Sequence, residues 1–294
     1  MSDEGADYDW GLAERDLDGF DTTASLMTRL WNLWAGGQEA LPGDRGFCDR
    51  AREVYPPITM LARYRLVFRA RVVRALLAEH GVEQFLVAGA DLPMHSEVHD
   101  IAHRAAPGAR VVYADSDALV MRIVEALLTP ELGRVCGYVY AGLDDPAALL
   151  EEAARWLDLN RPVGVLILNS LDTLPDPLAA AALEALGAAV APGSCLAISA
   201  LTDDGGTRLV EALGAGRHPT LARPRSRAEL QGFFAGTRLL PPGIVPVSCW
   251  RPELALRTPA TQALWCGVGE YGGPGGRPKT HPFLAGAARR GQGR

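Results

Sequence analysis

The chain is short of several things, and each shortage removes a class of protein. A single lysine, Lys279, stands beside 28 arginines, and 35 acidic residues against 29 basic ones leave a formal net charge of −6. A chain of that balance lacks the basic field that sequence-independent nucleic-acid binding requires. Its five cysteines (Cys48, Cys136, Cys195, Cys249 and Cys266) are odd in number, far apart and never in a CxxC pair. That argues against a disulfide framework and a thiolate zinc site, and reads them as small buried apolar residues. The longest apolar runs, 162–168 and 178–192 with Glu184 inside the second, fall short of the ~18 residues that a membrane span needs. Neither a membrane nor a nucleic acid is an expected partner.

What charge there is sits at the ends. Residues 1–21 hold eight acids against Arg15, whereas residues 271–294 hold five bases and no acid, so the 22–270 body carries a mild −4. Both ends read as poorly ordered termini. The acidic opening is unlike a secretory signal, and a cytoplasmic location is expected. Four segments follow: an acidic terminus (1–21), a helical lid or cap (22–80), a Rossmann-like domain (81–270) and a basic Gly/Pro-rich tail (271–294).

Within the cap, Ser25 can start a helix carrying Leu26, Leu30, Leu33 and Trp34 that Gly36-Gly37 ends. A longer helix is expected after Pro56-Pro57, with Leu61, Val67, Phe68, Val72, Leu76 and Leu77 near one face. From Glu83 onward short apolar runs alternate with helical stretches. Strands are expected at 84–88, 110–114, 137–141, 162–168 and 194–199, and helices at 96–105, 117–128, 146–157 and 177–190. Five such alternations predict an α/β fold with a doubly wound, mostly parallel sheet covered on both faces. A helix near 225–234 and strand-like segments at 238–240 and 262–268 predict a closing, partly antiparallel edge.

In such a sheet ligands bind beyond the carboxyl ends of the strands, at the point where strand order reverses. The turn after the first strand reads Ala88-Gly89-Ala90-Asp91, which has one glycine where a dinucleotide site wants GxGxxG. Classical NAD or FAD binding is disfavoured, and a nucleoside ligand without phosphates stays open. Asp115 ends the second strand, 26 residues beyond Gly89, where a carboxylate can accept from both ribose hydroxyls. It can equally be a helix cap, because Ser116 and Asp117 precede a helical run. His95, His99 and His103 recur every four residues, a spacing that can chelate a metal, but no further ligand is indicated and a polar flank is the plainer reading. No metal is expected. Trp31 and Trp34 can face a pocket or pack in the core.

The runs VEQFLVAGADLP, VHDIAHRAAPGARVVYADSDALV, RPVGVLILNSLDTLPDP, APGSCLAISALT and LLPPGIVPVSCWRPE, preceded by RLWNLWAGGQEALPGDR, resemble a bacterial, largely actinobacterial, family of S-adenosylmethionine-dependent methyltransferases first listed as a domain of unknown function. The likeness covers about 25–270. It implies the class I methyltransferase fold and S-adenosylmethionine as cofactor. By position it implies Gly89 under the methionine part, Asp115 holding the ribose, Leu143 against adenine and Asn169 facing the amine or sulfonium, with Ala88, Asp91, Ser116 and Asp144 also among the cofactor-binding residues. Gly36, Gly37, Asp44 and Arg45 match an N-terminal motif expected to close over the site.

The chain departs from the family pattern at several places. Ala90-Asp91 replaces the usual Thr-Gly of the first loop, and Arg65-Leu66 an Asn-Arg. Ala40-Leu41 replaces Asn-Phe, and Gly142 stands where an acid accepts from the adenine amino group, a role open to Asp144 or Asp145. Leu171-Asp172 replaces Leu-His, so Asp172 is the expected proton acceptor, with Tyr140 behind it; the rival reading makes Asp172 a turn residue in DTLPDP. The expected activity is methyl transfer to a small molecule, plausible in secondary metabolism. A fold reused for a cyclisation or rearrangement, or a non-catalytic binding module, is the alternative. The oligomeric state is left open, and a homodimer is compatible with everything above.

Overall fold

The computed structural model describes residues 26–39, 41, 43–94, 96–128, 135–213, 222–253 and 262–272. The acidic terminus, the basic tail from residue 273 on, the cap Ser25, Ala40 and His95 lie outside the described residues, while Tyr271, the first residue of the expected tail, is the last of a strand. Three helices come first: α1 (Leu26–Ala35), α2 (Asp44–Val54) and α3 (Ile58–His80). Strands and helices then alternate: β1 (Gln84–Ala88), α4 (Val98–Ala105), β2 (Arg110–Ala114), α5 (Ala118–Leu127), β3 (Cys136–Val139), α6 (Pro146–Ala153), β4 (Gly164–Leu168), α7 (Asp176–Ala189) and β5 (Cys195–Leu201). After these come α8 (Gly206–Ala212), α9 (Arg227–Gly232), β6 (Thr237–Leu239), a two-residue β7 (Val245–Pro246) and β8 (Leu264–Tyr271).

The sheet order is β3-β2-β1-β4-β5-β8-β6, with β7 added alongside β8. The strands from β3 to β5 are parallel, and β8 runs antiparallel between β5 and β6. With the short β7 set aside, this is the seven-strand pattern of class I methyltransferases. Strand order reverses between β1 and β4, so the carboxyl ends of those strands open a crevice.

The strands form where they do because almost every residue in them is apolar and buried, which a sheet covered on both faces demands. Alternation assigns the faces. Phe85, Val87, Val111 and Leu166 join α1, α3 and α4 in one hydrophobic cluster, while Leu86, Ala88, Val112 and Val165 join α6 and α7 in the other. α3 is therefore a layer of the sandwich, not a separate cap: Leu61, Phe68, Val72 and Leu76 are fully enclosed against the sheet, and Gly81 in the left-handed conformation ends the helix. α1 is held to this layer by Leu30 and Trp34, both buried. α2, which the sequence reading did not expect, is tied to α1 by a two-pronged ion pair, Arg29 Nε to Asp44 Oδ2 at 2.6 Å and Nη2 to Oδ1 at 3.1 Å. Asp44 also accepts from Leu41 N at 2.8 Å. No helix among the described residues is long and apolar enough to cross a membrane.

Candidate active site

Three backbone turns build the crevice. Leaving β1, Gly89 takes φ +87°, and its N–H and that of Ala90 both reach the carbonyl of Ala114 at the end of β2, at 2.8 and 3.1 Å. Leaving β4, Asn169 takes φ +72° and bonds Ser199 O through its N–H at 2.9 Å. These two left-handed residues bring Ser170 directly over Gly89, so closely that a Cβ at position 89 would collide with the Ser170 hydroxyl. Only glycine fits there. Leaving β2, Asp115 accepts from Asp117 N at 2.8 Å.

The crevice has two lobes. The larger, about 230 Å³, is lined by Met27, Thr28 and Trp31 of α1, by Gly89, Ala90 and Asp91, by Asp115, Ser116 and Asp117, and by Asn169, Ser170, Thr173 and Ala222 among others. The smaller, about 180 Å³, is lined by Gly142, Leu143, Asp144 and Leu174 and shares Gly89, Asp115, Ser116, Ser170 and Thr173 with the first. Gly89 and Ser170 thus stand at the waist, and Asp115 reaches both lobes.

Most of the expected cofactor residues come together here: Gly89, Asp91, Asp115, Ser116, Leu143, Asp144 and Asn169 are all on the walls. Asp115 is half-buried as a residue, yet its carboxyl group lies deep enough that burial pushes its pKa up to about 7, against hydrogen bonds from the Asp117 and Ala90 backbone. It is not the helix cap: Asp117 caps α5, accepting from Leu119 N at 2.8 Å and Val120 N at 3.2 Å. The same division separates the two acids after β3. Asp145 caps α6 by accepting from Ala148 N, which leaves Asp144 on the lobe wall. Leu143 is buried beside it.

Other expectations fail on position. Ala88 is enclosed in β1, where its side chain belongs to the far hydrophobic cluster. Gly36, Gly37 and Arg45 are not on either wall. Gly37 is required instead by close packing, because a Cβ there would strike the Asn32 amide, and Arg45 is exposed while its neighbour Asp44 makes the buried ion pair. Tyr140 lies just past β3 with 48% of its surface exposed and donates to Glu125 at 2.9 Å. Asp172 is turned inward: it accepts from Leu201 N at 2.8 Å and Asn169 Nδ2 at 3.3 Å, and burial pushes its pKa up to about 7. It lines neither lobe. Asn169 spends its amide on this arrangement, since its Oδ1 accepts from Ser199 Oγ at 3.0 Å.

The histidines are equally committed. His99 shares a hydrogen bond with the Tyr113 hydroxyl at 2.8 Å, and burial lowers its pKa; His103 Nε2 bonds Ala109 O at 2.9 Å. Among the described residues no cluster of three or more His, Cys, Asp or Glu could hold a metal.

A buried charge network behind the larger lobe was not foreseen. Arg65 Nη1 lies 2.7 and 2.8 Å from the two oxygens of Asp91, Arg69 Nη2 donates to Glu97 at 2.8 Å, and Arg69 Nη1 is 3.8 Å from Asp91. The Arg65 guanidinium also sits 5.1 Å from the centre of the Trp31 ring. Two arginines one helical turn apart on an otherwise apolar face of α3 were the available signal. Trp31 reaches the lobe, whereas Trp34 meets it edge-on and is enclosed.

A family model described as S-adenosyl methyltransferase matches residues 13–272. The chain is similar to a DUF574 family protein from Streptomyces avermitilis, at 29% identity over 83% of this chain and 97% of that one, with a TM-score of 0.76. It is also similar to a candidate methyltransferase from Thermobifida fusca, at 27% identity over 86% and 97%, with a TM-score of 0.78. Magnesium protoporphyrin IX methyltransferase from Synechocystis, solved with bound S-adenosylhomocysteine, shares the fold alone, at 13% identity over 85% and 97% and a TM-score of 0.51. No curated protein matches the chain.

Proposed function

The chain belongs to the S-adenosyl methyltransferase family, and from that premise we propose that it transfers a methyl group to a small molecule of secondary metabolism, with S-adenosylmethionine held along the two lobes. The observation that carries this reading is the waist: Gly89, Asp115 and Ser170 join two lobes at the reversal point of the sheet, the place where a nucleoside with an amino-acid arm would lie. Asp115 would accept from the ribose hydroxyls, Leu143 would pack on the adenine, and Asp144 would accept from its amino group. Asp91, already neutralised by Arg65, would lie along the amino-acid arm. When bound, the cofactor supplies an activated methyl on a sulfonium. The work left to the protein is to hold the acceptor in line and to exclude water, which calls for walls more than for a strong base. Met27 and Trp31 provide such walls, and the positions of Asp172 and Tyr140 off the lobes accord with a site that uses neither as a base.

Calorimetric titration with S-adenosylhomocysteine tests the reading. Removing a charged acceptor from a pair of hydroxyls costs about 1.5 to 3 kcal/mol, so Asp115→Ala should weaken binding roughly 10- to 150-fold. Equal affinity in the variant would remove Asp115 from the site. Binding without methyl transfer to any acceptor would mark the fold as reused for other chemistry.

A further inference from the structure

The residues common to both lobes, Gly89, Asp115, Ser116, Ser170 and Thr173, divide by what their side chains already do. Gly89 has no side chain, and Asp115 accepts from the Asp117 amide and is the ribose acceptor. Thr173 donates its hydroxyl to the Ser170 carbonyl at 3.0 Å, and the Ser116 hydroxyl stands against Gly142, on the side of the smaller lobe. Ser170 is different. Its side chain makes no hydrogen bond among the described residues, yet its oxygen is not sealed in as Asp172 Oδ1 is, and it lies over Gly89 where the lobes meet. The backbone on both sides of it is fixed. Asn169 is left-handed, with its N–H and Oδ1 tied to Ser199 and its Nδ2 to Asp172, and Thr173 closes on the Ser170 carbonyl. Such a conformation is uncommon outside glycine and persists where the surroundings determine it. Because the Asn169 amide is engaged on the buried side, Ser170 presents the open polar atom at the waist.

We propose that Ser170 is a cofactor-contacting residue whose hydroxyl oxygen faces the sulfur and favours the methylated, positively charged sulfonium over the neutral thioether. The proposal rests on the cleft being the cofactor site, with the nucleoside in the smaller lobe and the amino-acid arm in the larger. Sulfur is the atom that joins those two parts, so the junction of the lobes is its place. A positive charge on sulfur polarises the C–H bonds of the groups attached to it, and a hydroxyl oxygen accepts from such carbons more strongly than from those of a neutral thioether. A site that holds the charged form better than the neutral one releases the demethylated product and takes up fresh cofactor.

The test titrates the full chain with S-adenosylhomocysteine, whose sulfur is neutral, with S-adenosylmethionine, and with sinefungin, which carries an ammonium on carbon in place of the methylated sulfur. Sinefungin keeps the positive charge and gives the Ser170 oxygen an N–H to accept from. The acidic walls alone favour a cation, so the quantity that matters is how the ratio of affinities changes when the hydroxyl is removed. Calorimetry should find that Ser170→Ala lowers the sinefungin-to-S-adenosylhomocysteine ratio by about 5-fold or more. The S-adenosylmethionine-to-S-adenosylhomocysteine ratio should fall less, about 2- to 5-fold, because the donors there are carbons. Ser170→Gly, which also removes the hydroxyl, serves if the first variant does not fold. A serine that only supports the turn would weaken all three ligands together and leave both ratios where they were. An unchanged ratio with either cation overturns the inference. Failure of S-adenosylhomocysteine itself to bind the wild type is a separate result, and it overturns the reading of the cleft.

Discussion

Two turns flank β1, one leaving β2 and one leaving β4, and each carries a carboxylate that burial pushes up to about 7: Asp115 in the first and Asp172 in the second. By titration they are twins, but they do different work. Asp115 stands on the wall of both lobes and is free to meet a ligand, while Asp172 is closed in by the Leu201 amide and Asn169 and braces β4 against β5. A raised pKa therefore reports that a carboxyl group has lost water, and only its remaining approaches decide whether it binds, reacts or supports.

The most forceful way to break the comparison is to damage the strand exit between the two turns. Gly89→Ala places a Cβ against Ser170 at a residue of φ +87° and should push the serine into the waist. Loss of S-adenosylhomocysteine affinity by about 100-fold or more is expected, close to 3 kcal/mol. A variant that folds and binds like the wild type would show that the ligand does not cross the waist. Next in size, Asp172→Ala should lower stability by about 2 to 3 kcal/mol in denaturant melts, because the buried Leu201 amide loses its acceptor. Little change there would mean that Asp172 does not brace the strands.

The pH dependences should separate the twins more finely. Asp172 has its folded pKa, about 7, above its ordinary 3.8, so its contribution to stability is complete below about 3.8 and is lost as pH rises through about 7. Asp172→Asn should flatten that decline in melting temperature without altering S-adenosylhomocysteine affinity by more than about 2-fold. Asp115 should show the opposite pattern in binding. Ribose hydroxyls donate to its charged form, so affinity should improve by up to about 10-fold per unit as pH rises toward about 7 and then level off, and Asp115→Asn should abolish the slope. A binding slope that follows Asp172 in place of Asp115 would reverse the assignment. The smallest effect is expected at Tyr140, whose exposed hydroxyl meets only Glu125 among the described contacts; Tyr140→Phe should leave binding and turnover within about 2-fold.

The sequence by itself determined the layers. Runs such as QFLVA and RVVYA are apolar at nearly every position, which only a strand buried on both faces needs, so β1 and β2 were legible to the residue. Asp115 was legible too, because a polar residue directly after such a strand must lie at the sheet's carboxyl edge. The tertiary structure alone decided what each polar residue there does. Asp115 and Asp117, Asp144 and Asp145, and Asn169 and Asp172 are near neighbours in sequence, and capping, cleft wall and buried brace all suit the same side chains. The choice among them depends on partners far along the chain, such as Leu201 for Asp172 or Trp31 for the lobe that Asp117 faces. The pairing of Arg65 with Asp91 and of Arg69 with Glu97 spans 26 and 28 residues, and the insertion of β8 between β5 and β6 is a matter of long-range register. Local pattern encodes burial and direction, but a hydrogen bond across the fold exists only once the layers have brought its two ends together.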